Sequence, residues 1–383
     1  MRIVLSGGGT GGHATPLRAL SAALKRSYAK DARKHNQPLE LHYIGSGNQL
    51  ERDIARQTSM TYHAVSSGKF RRYRRGIGEM TDMGTISKNI ADGTRFILGI
   101  RQARKLLKRL RPDIVFVNGG YVGLPVGLAA RSLKIPLVIH ESDTIMGLTN
   151  RILARHAEVV ASGFPVDVYP QKLQRKITWT GNMVDQAFIR LRPMKNTAQK
   201  QIPLILVLGG SSGARRINEI VWGALDGLTA LGTVMHQTGT HSIDEASSIH
   251  AQLSEERQKR YKAVAFIQED LPNLMQHASV VISRAGANSL FELATLARPT
   301  IIIPLANSAN NHQAHNGRYL AEHHAAHVIS ESELTSSTLT EATQHLLKHP
   351  AIRSELGRNL HALATPNASD DLAQLILKAG KRG

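Results

Sequence analysis

The 383-residue sequence contains no cysteine, which excludes disulfides, thiolate metal sites and cysteine nucleophiles together. Aromatic residues make up only 4% and do not interleave with cations as a base-stacking platform requires, so nucleic acid is not an expected partner. No apolar run approaches the roughly 18–20 residues that cross a bilayer. Nor does the beginning resemble a secretory signal, because only Ile3, Val4 and Leu5 intervene between Arg2 and the serine and glycines that follow. The expectation is a soluble or peripheral protein of a reducing compartment. Acidic residues are scarce, 29 against 48 lysines and arginines. The resulting net charge of +19 draws anionic partners, phosphorylated substrates or anionic membrane surfaces, without choosing among them.

What the chain does have is a steady alternation of short β-rich apolar runs and amphipathic helical stretches, the pattern of parallel sheets with crossover helices. In the first half Arg2 to Leu5 runs into a glycine loop and then a helix over 17–30. A strand over 39–44 ends at Gly45-Ser-Gly47, Asp113 to Val117 runs into Asn118-Gly-Gly120, and Pro136 to Ile139 runs into His140-Glu-Ser-Asp143. The plan then restarts, with Leu204 to Leu208 entering Gly209-Gly-Ser-Ser-Gly213 and Val280 to Ile282 entering Ser283-Arg-Ala-Gly286. The length suits two domains, and the expected architecture is α/β, two Rossmann-like domains facing each other across a cleft. The expected boundaries are 1–165, a linker over 166–185, and 186–366, with a final amphipathic helix over 367–383 returning to the first domain.

The opening loop, SGGGTGGHATP at 6–16, carries the first chemical information. Gly7, Gly9 and Gly12 satisfy G-x-G-x-x-G between a strand and a helix, the dinucleotide fingerprint. That fingerprint also needs an acid at the end of the second strand to hold ribose hydroxyls. Here the strand ends Tyr43-Ile-Gly-Ser-Gly47, without one. The Walker pattern fails as well, since His13 and Ala14 stand where lysine and a magnesium-binding hydroxyl belong. What remains is diphosphate binding by backbone N–H groups and helix ends, repeated at further strand ends. Sugar-nucleotide enzymes that use a metal hold it with an Asp-x-Asp triplet. No two aspartates of this chain are separated by one residue, so no metal or other cofactor is expected.

Taken in order, GGGTGGHATP (7–16), SSGKFRRYRRG (66–76), NGGYVGLPVGLAA (118–130), HESDTIMGLTN (140–150), LGGSSGARRIN (208–218), HQTGT (236–240) and SRAGANSLFELA (283–294) closely resemble the MurG family. These are bacterial transferases that add N-acetylglucosamine to an undecaprenyl-diphosphate-linked muramyl pentapeptide. The resemblance covers nearly the whole chain and implies the GT-B glycosyltransferase architecture, with acceptor mostly on the first domain and UDP-N-acetylglucosamine mostly on the second. It implies that Thr10, Gly11, Gly12 and His13 meet the acceptor diphosphate and reacting sugar, and that Ser211 approaches the donor diphosphate. It further implies that Ile267 binds uracil through its backbone, and that Ala287, Asn288, Ser289 and Leu290 begin a helix at the diphosphate. Glu292 on that helix would take the ribose hydroxyls and Gln313 the hydroxyls of the transferred sugar. Two positions depart from the family pattern. Asp185 stands where many members have an arginine, so a donor contact is missing or supplied by Arg215 or Arg284, and Asp143 stands where some have asparagine.

The implied reaction is attack by the acceptor's 4-hydroxyl on the anomeric carbon of the donor sugar, with inversion and release of UDP. His13, the titratable side chain inside the first loop, is the candidate base, with Asp143 or Glu141 as the alternative. A lipid acceptor calls for a membrane-facing surface, and the stretches Lys69 to Arg75 and Phe96 to Arg111 suit anionic headgroups. The expected location is peripheral, at the cytoplasmic face of the bacterial cell membrane. Two other enzymes fit the same motifs: a UDP-sugar transferase acting on another lipid, and a UDP-N-acetylglucosamine 2-epimerase-like enzyme. A non-catalytic binder of lipid diphosphate or nucleic acid is the alternative outside catalysis.

Overall fold

The computed structural model describes residues 1–9, 11–30, 37–68, 83–194, 202–209, 214–267, 270–306 and 308–381. The chain divides into two compact units, Met1–Met183 with Asn367–Gly383, and Val184–Pro366.

The first unit is built on a sheet of β1 (Arg2–Ser6), β2 (Glu40–Gly45), β3 (Thr61–Ala64), β4 (Ile114–Val117), β5 (Leu137–Glu141), β6 (Val159–Ser162) and β7 (Ile177–Trp179). All neighbours pair in parallel, in the order β3-β2-β1-β4-β5-β6-β7. Helices cover both faces of such a sheet, so its central strands are apolar without alternation. Accordingly Ile3, Val4 and Leu5 of β1 and all of Ile114–Val117 are fully buried. Leu5, Tyr43 and Phe116 stand side by side in the register and pack against the helices Pro16–Lys30 and Ala368–Gly380. In the latter helix Leu372, Ala373, Ile376 and Leu377 form a buried stripe at i, i+4 spacing. At about 1.5–3 kcal/mol for each large apolar side chain buried, that stripe makes the end of the chain part of the first unit's core. The exposed Arg26–Asp370 ion pair at its rim contributes little.

The second unit repeats the plan with β8 (Leu204–Leu208), β9 (Thr233–Gln237), β10 (Tyr261–Val264), β11 (Val280–Ser283), β12 (Thr300–Ile302) and β13 (His327–Val328). Their order is β10-β9-β8-β11-β12-β13, again parallel. Val207, Ile282 and Ile301 anchor a core completed by helices Arg215–Gly223 and Ser336–Lys348.

In each sheet the strand order reverses beside the first strand, between β1 and β4 and between β8 and β11. Connections leave to opposite faces there, and ligands of such sheets bind beyond the strand C-termini at that switch point. The glycine-containing stretches follow those four strands in sequence.

The segment expected as an interdomain linker covers 166–185. Residues 166–183 belong to the first unit and supply β7, the edge strand of its sheet, so the division falls between Met183 and Val184. Only Ile177 of β7 is buried, and a three-residue strand with one buried side chain leaves no apolar run to read.

Candidate active site

At the first switch point the loops after β1 and β4 meet backbone to backbone. Gly119 and Gly120 have φ of 69° and 77°, and a Cβ on Gly120 would lie 2.3 Å from the Gly8 carbonyl oxygen. Only glycine allows that approach. The Asn118 N–H donates to the Ser6 carbonyl at 2.7 Å and its Nδ2 to the His13 carbonyl at 3.0 Å, clamping one loop to the other. The His13 ring lies against Gly119, where a Cβ would meet Cδ2 at 3.0 Å and Nε2 at 3.2 Å. Gly11 and His13 are half-buried and Gly12 is exposed, while Thr10 lies outside the described residues. His13 sits in the single helical turn Gly11–Ala14, and a half-buried imidazole there can donate to a phosphate oxygen or accept a proton.

The turn after β5 holds the two alternative bases. Glu141 is 4% exposed, and its oxygens accept the N–H groups of Asp143 (3.1 Å) and Gly147 (2.9 Å) and the Asn150 amide (2.9 Å). Burial, reinforced by the neighbouring Asp143 carboxylate, pushes its pKa up to about 7. Both Glu141 oxygens thus organise the turn 141–147. Asp143, half-buried, is the more accessible of the two carboxylates, and its carbonyl accepts the Tyr169 hydroxyl at 2.8 Å. His140 is buried, which pushes its pKa down to about 4. Its neutral ring has Nε2 3.0 Å from the Gly181 carbonyl, to which it donates.

In the second unit Ser211 lies outside the described residues, whereas the loop after β11 lies within them. Gly286 caps the helix Ala287–Thr295 with φ −74° and ψ 132°, values open to any residue, and a Cβ there would meet nothing within 4 Å. Neither backbone strain nor packing explains a glycine at that place. Its missing side chain leaves open space at the first turn, where the helix presents its N–H groups. Asn288, Ser289 and Glu292 are half-buried, and Asn288 and Glu292 share a face at i, i+4. Ala287 is 8% exposed. Leu290 is 1% exposed and its N–H donates to the Gly286 carbonyl, so it closes the first turn from within. From the helix His312–Glu322, Asn316 donates to the Ala285 carbonyl at 3.0 Å and braces the loop. Gln313 on the same helix accepts the Leu305 N–H at 3.0 Å, which leaves its amide NH2 as the end that offers donors. The Ile267 N–H is engaged by the Gln237 side-chain oxygen at 3.0 Å, beside a pocket of about 400 Å³ lined by Met235, Val264, Phe266, Asp270 and Leu274.

Comparison with known proteins covers both units. The glycosyltransferase family 28 N-terminal domain matches residues 3–162, and the glycosyltransferase family 28 C-terminal domain matches residues 204–372. The chain is 36% identical over 365 residues to the UDP-N-acetylglucosamine--N-acetylmuramyl-(pentapeptide) pyrophosphoryl-undecaprenol N-acetylglucosamine transferase of Lachnoclostridium phytofermentans, covering 94% of each chain. It is also 36% identical over 382 residues to the protein of that name from Lachnospira eligens, covering 98% of each. Among solved structures, Acinetobacter baumannii MurG is similar with a TM-score of 0.73 at 25% identity, over 98% of this chain and 99% of that one. The chain belongs to the MurG family of glycosyltransferases. Its two parallel-sheet units are the two domains of the GT-B architecture.

Against the MurG-family pattern, Asp185 has a local role. Asp185 caps the helix Gln186–Ile189, its carboxylate accepting the Ala187 N–H at 3.0 Å. Of the two cations considered in place of the family arginine, Arg284 is held by Glu331 in an ion pair with side chains 11% and 18% exposed, and also donates to the Ile303 carbonyl. Arg215 pairs with Glu219 at 2.9 Å on the surface. Sequence reasoning missed Glu51, a fully buried carboxylate on the helix Gln49–Gln57 that follows β2. The available signal was Asn48 capping a helix with an acid at its third position, the spacing of a capping box.

Proposed function

We propose that this protein transfers N-acetylglucosamine from UDP-N-acetylglucosamine to the 4-hydroxyl of an undecaprenyl-diphosphate-linked muramyl pentapeptide. The observation that carries the reading is the likeness over both units to transferases bearing that name. In the reaction the acceptor oxygen bonds to the anomeric carbon of the donor as the bond from that carbon to the UDP oxygen breaks. The acceptor proton passes to a base and UDP leaves with both electrons of the broken bond. His13 is the base this reading favours, since Glu141 already accepts three hydrogen bonds from its own turn and the helix that follows it. Asp143 is the second choice. The open first turn after Gly286 suits the departing diphosphate, whose charge helix N–H groups stabilise without a dedicated metal site.

A lipid acceptor requires peripheral contact with the membrane surface. Among the described residues no helix is long and apolar enough to cross a bilayer. The helix Met83–Leu110 exposes Ile97 by 53% and Leu98 by 43%, followed by the exposed Arg101, Arg104, Lys105 and Lys108. The other basic stretch considered, Lys69 to Arg75, lies outside the described residues. An apolar wedge flanked by cations favours anionic headgroups, with each nearby cation contributing about 1 kcal/mol. Flotation with anionic vesicles should recover the protein and flotation with neutral vesicles should not. Equal recovery with both argues against the electrostatic part.

UDP release measured with and without the lipid acceptor tests the catalytic reading. Release that depends on acceptor supports it, whereas donor turnover without acceptor favours the epimerase-like alternative.

A further inference from the structure

Glu51 stands in an environment that its place in the sequence does not announce. It is the third residue of the helix Gln49–Gln57, whose cap Asn48 accepts the Glu51 N–H at 2.9 Å. An acid at that position ordinarily turns back onto its own helix end. Here it reaches toward the first glycine loop and is 0% exposed. One oxygen accepts the Gly9 N–H at 2.9 Å and the Ser46 hydroxyl at 3.0 Å. The other accepts the Ser46 N–H at 2.7 Å and the Tyr62 hydroxyl at 2.8 Å. All four donors are neutral, and charge-assisted hydrogen bonds of this kind are roughly twice as strong as neutral ones.

The neighbouring glycines make room for that carboxylate. A Cβ on Gly8 would lie 2.1 Å from one Glu51 oxygen, and a Cβ on Gly45 would lie 2.4 Å from the other. The loop is therefore held at three points by three elements: its start by the Tyr43 hydroxyl on the Gly7 carbonyl, its middle by Glu51 on Gly9, and its end by Asn118 on the His13 carbonyl. Of these three anchors only Glu51 is an acid. Carried on the helix after β2, its carboxylate reaches Gly45 at the end of that strand and is spent inward, on the loop itself.

We propose that Glu51 is a positioning residue for the acceptor half of the reaction. By holding Gly9 it sets the glycine loop so that His13 meets the acceptor hydroxyl in a reactive geometry. The inference rests on the reading that the first unit takes the lipid-linked acceptor.

The test compares the full-length parent with Glu51→Ala and Glu51→Gln. For each, kcat and KM are measured separately for lipid acceptor and for UDP-N-acetylglucosamine, UDP binding is measured by calorimetry, and thermal unfolding is followed on the same preparations. Misplacing a reactive group by about 1 Å costs roughly 100-fold, so Glu51→Ala should lower kcat/KM for acceptor by about that factor. Glu51→Gln keeps an oxygen for only one of the two N–H groups, those of Gly9 and Ser46, and should lose roughly 10-fold, an intermediate loss consistent with one retained acceptor. UDP affinity, a property of the other unit, should stay within about twofold of the parent, well under the tenfold that 1.4 kcal/mol represents. Parental kcat/KM for acceptor in a folded Glu51→Gln protein overturns the inference, even if Glu51→Ala does not fold. UDP affinity falling in step with acceptor turnover also overturns it, because the effect is then on the whole protein. A parent that forms no disaccharide lipid refutes the acceptor reading itself, and the inference with it.

Discussion

Gly286 offers a prediction in which fold and function separate. Its backbone is in ordinary extended territory, and no atom lies within 4 Å of where a Cβ would stand. Gly286→Ala should therefore fold normally. Two small effects on stability oppose each other: fewer unfolded conformations favour alanine by about 0.4–1 kcal/mol, while alanine caps a helix less well than glycine by a comparable amount. The net change should stay within about 1 kcal/mol of zero. If the open space belongs to the donor diphosphate, the new methyl group intrudes on a packed ligand, and such overpacking costs about 1–3 kcal/mol. That range corresponds to roughly a 5- to 150-fold loss of UDP affinity. Calorimetric titration with UDP, beside a urea unfolding curve, reads both quantities. Parental UDP affinity in a stably folded variant would show that the space left by Gly286 is not the ligand's, and the assignment of the donor diphosphate to this helix end would fall.

Other consequences follow from the same geometry. His13→Ala should lower turnover by about 10²–10⁴-fold, the range for a lost general acid or base, while UDP affinity survives; near-normal turnover excludes His13 as the base. Burial lowers the His236 pKa to about 3 from 6.5. As pH falls below 6.5 the unfolded chain binds a proton that the folded one refuses, so stability is lost at about 1.4 kcal/mol per pH unit until the folded value is reached. His236→Gln should make the decline in urea-unfolding stability between pH 6.5 and 5 shallower by that one proton, and an unchanged slope refutes it. Ile376 is fully buried in the C-terminal helix, so Ile376→Ala should destabilise the protein by about 2–5 kcal/mol; a loss below about 1 kcal/mol would mean that this helix is not part of the first unit's core.

Much of the scaffold is legible in the sequence because its central strands are buried on both faces. Unbroken runs such as Ile114–Val117 and Leu204–Leu208 announce themselves and are followed in sequence by polar or glycine-rich stretches. The outer strands do not, since β7 has three residues and β13 only His327–Val328. The site shows the same contrast. Glycine loops are local and readable, but the contacts that fix them join distant positions: Glu51 with Gly9, Gln237 with Ile267, Arg284 with Glu331. Burial also varies from residue to residue along the helix Ala287–Thr295, as Leu290 shows. Its neighbours Asn288 and Ser289 are half-buried, whereas helical periodicity turns Leu290 into the core.

The most direct test of the central claim is the identity of the lipid product. After incubation with UDP-N-acetylglucosamine and the lipid-linked muramyl pentapeptide, mass spectrometry should find the acceptor heavier by one N-acetylhexosamine. Nuclear magnetic resonance should find that sugar attached at the 4-hydroxyl with anomeric configuration opposite to the donor's. An unmodified acceptor alongside consumed or epimerised donor would contradict the account.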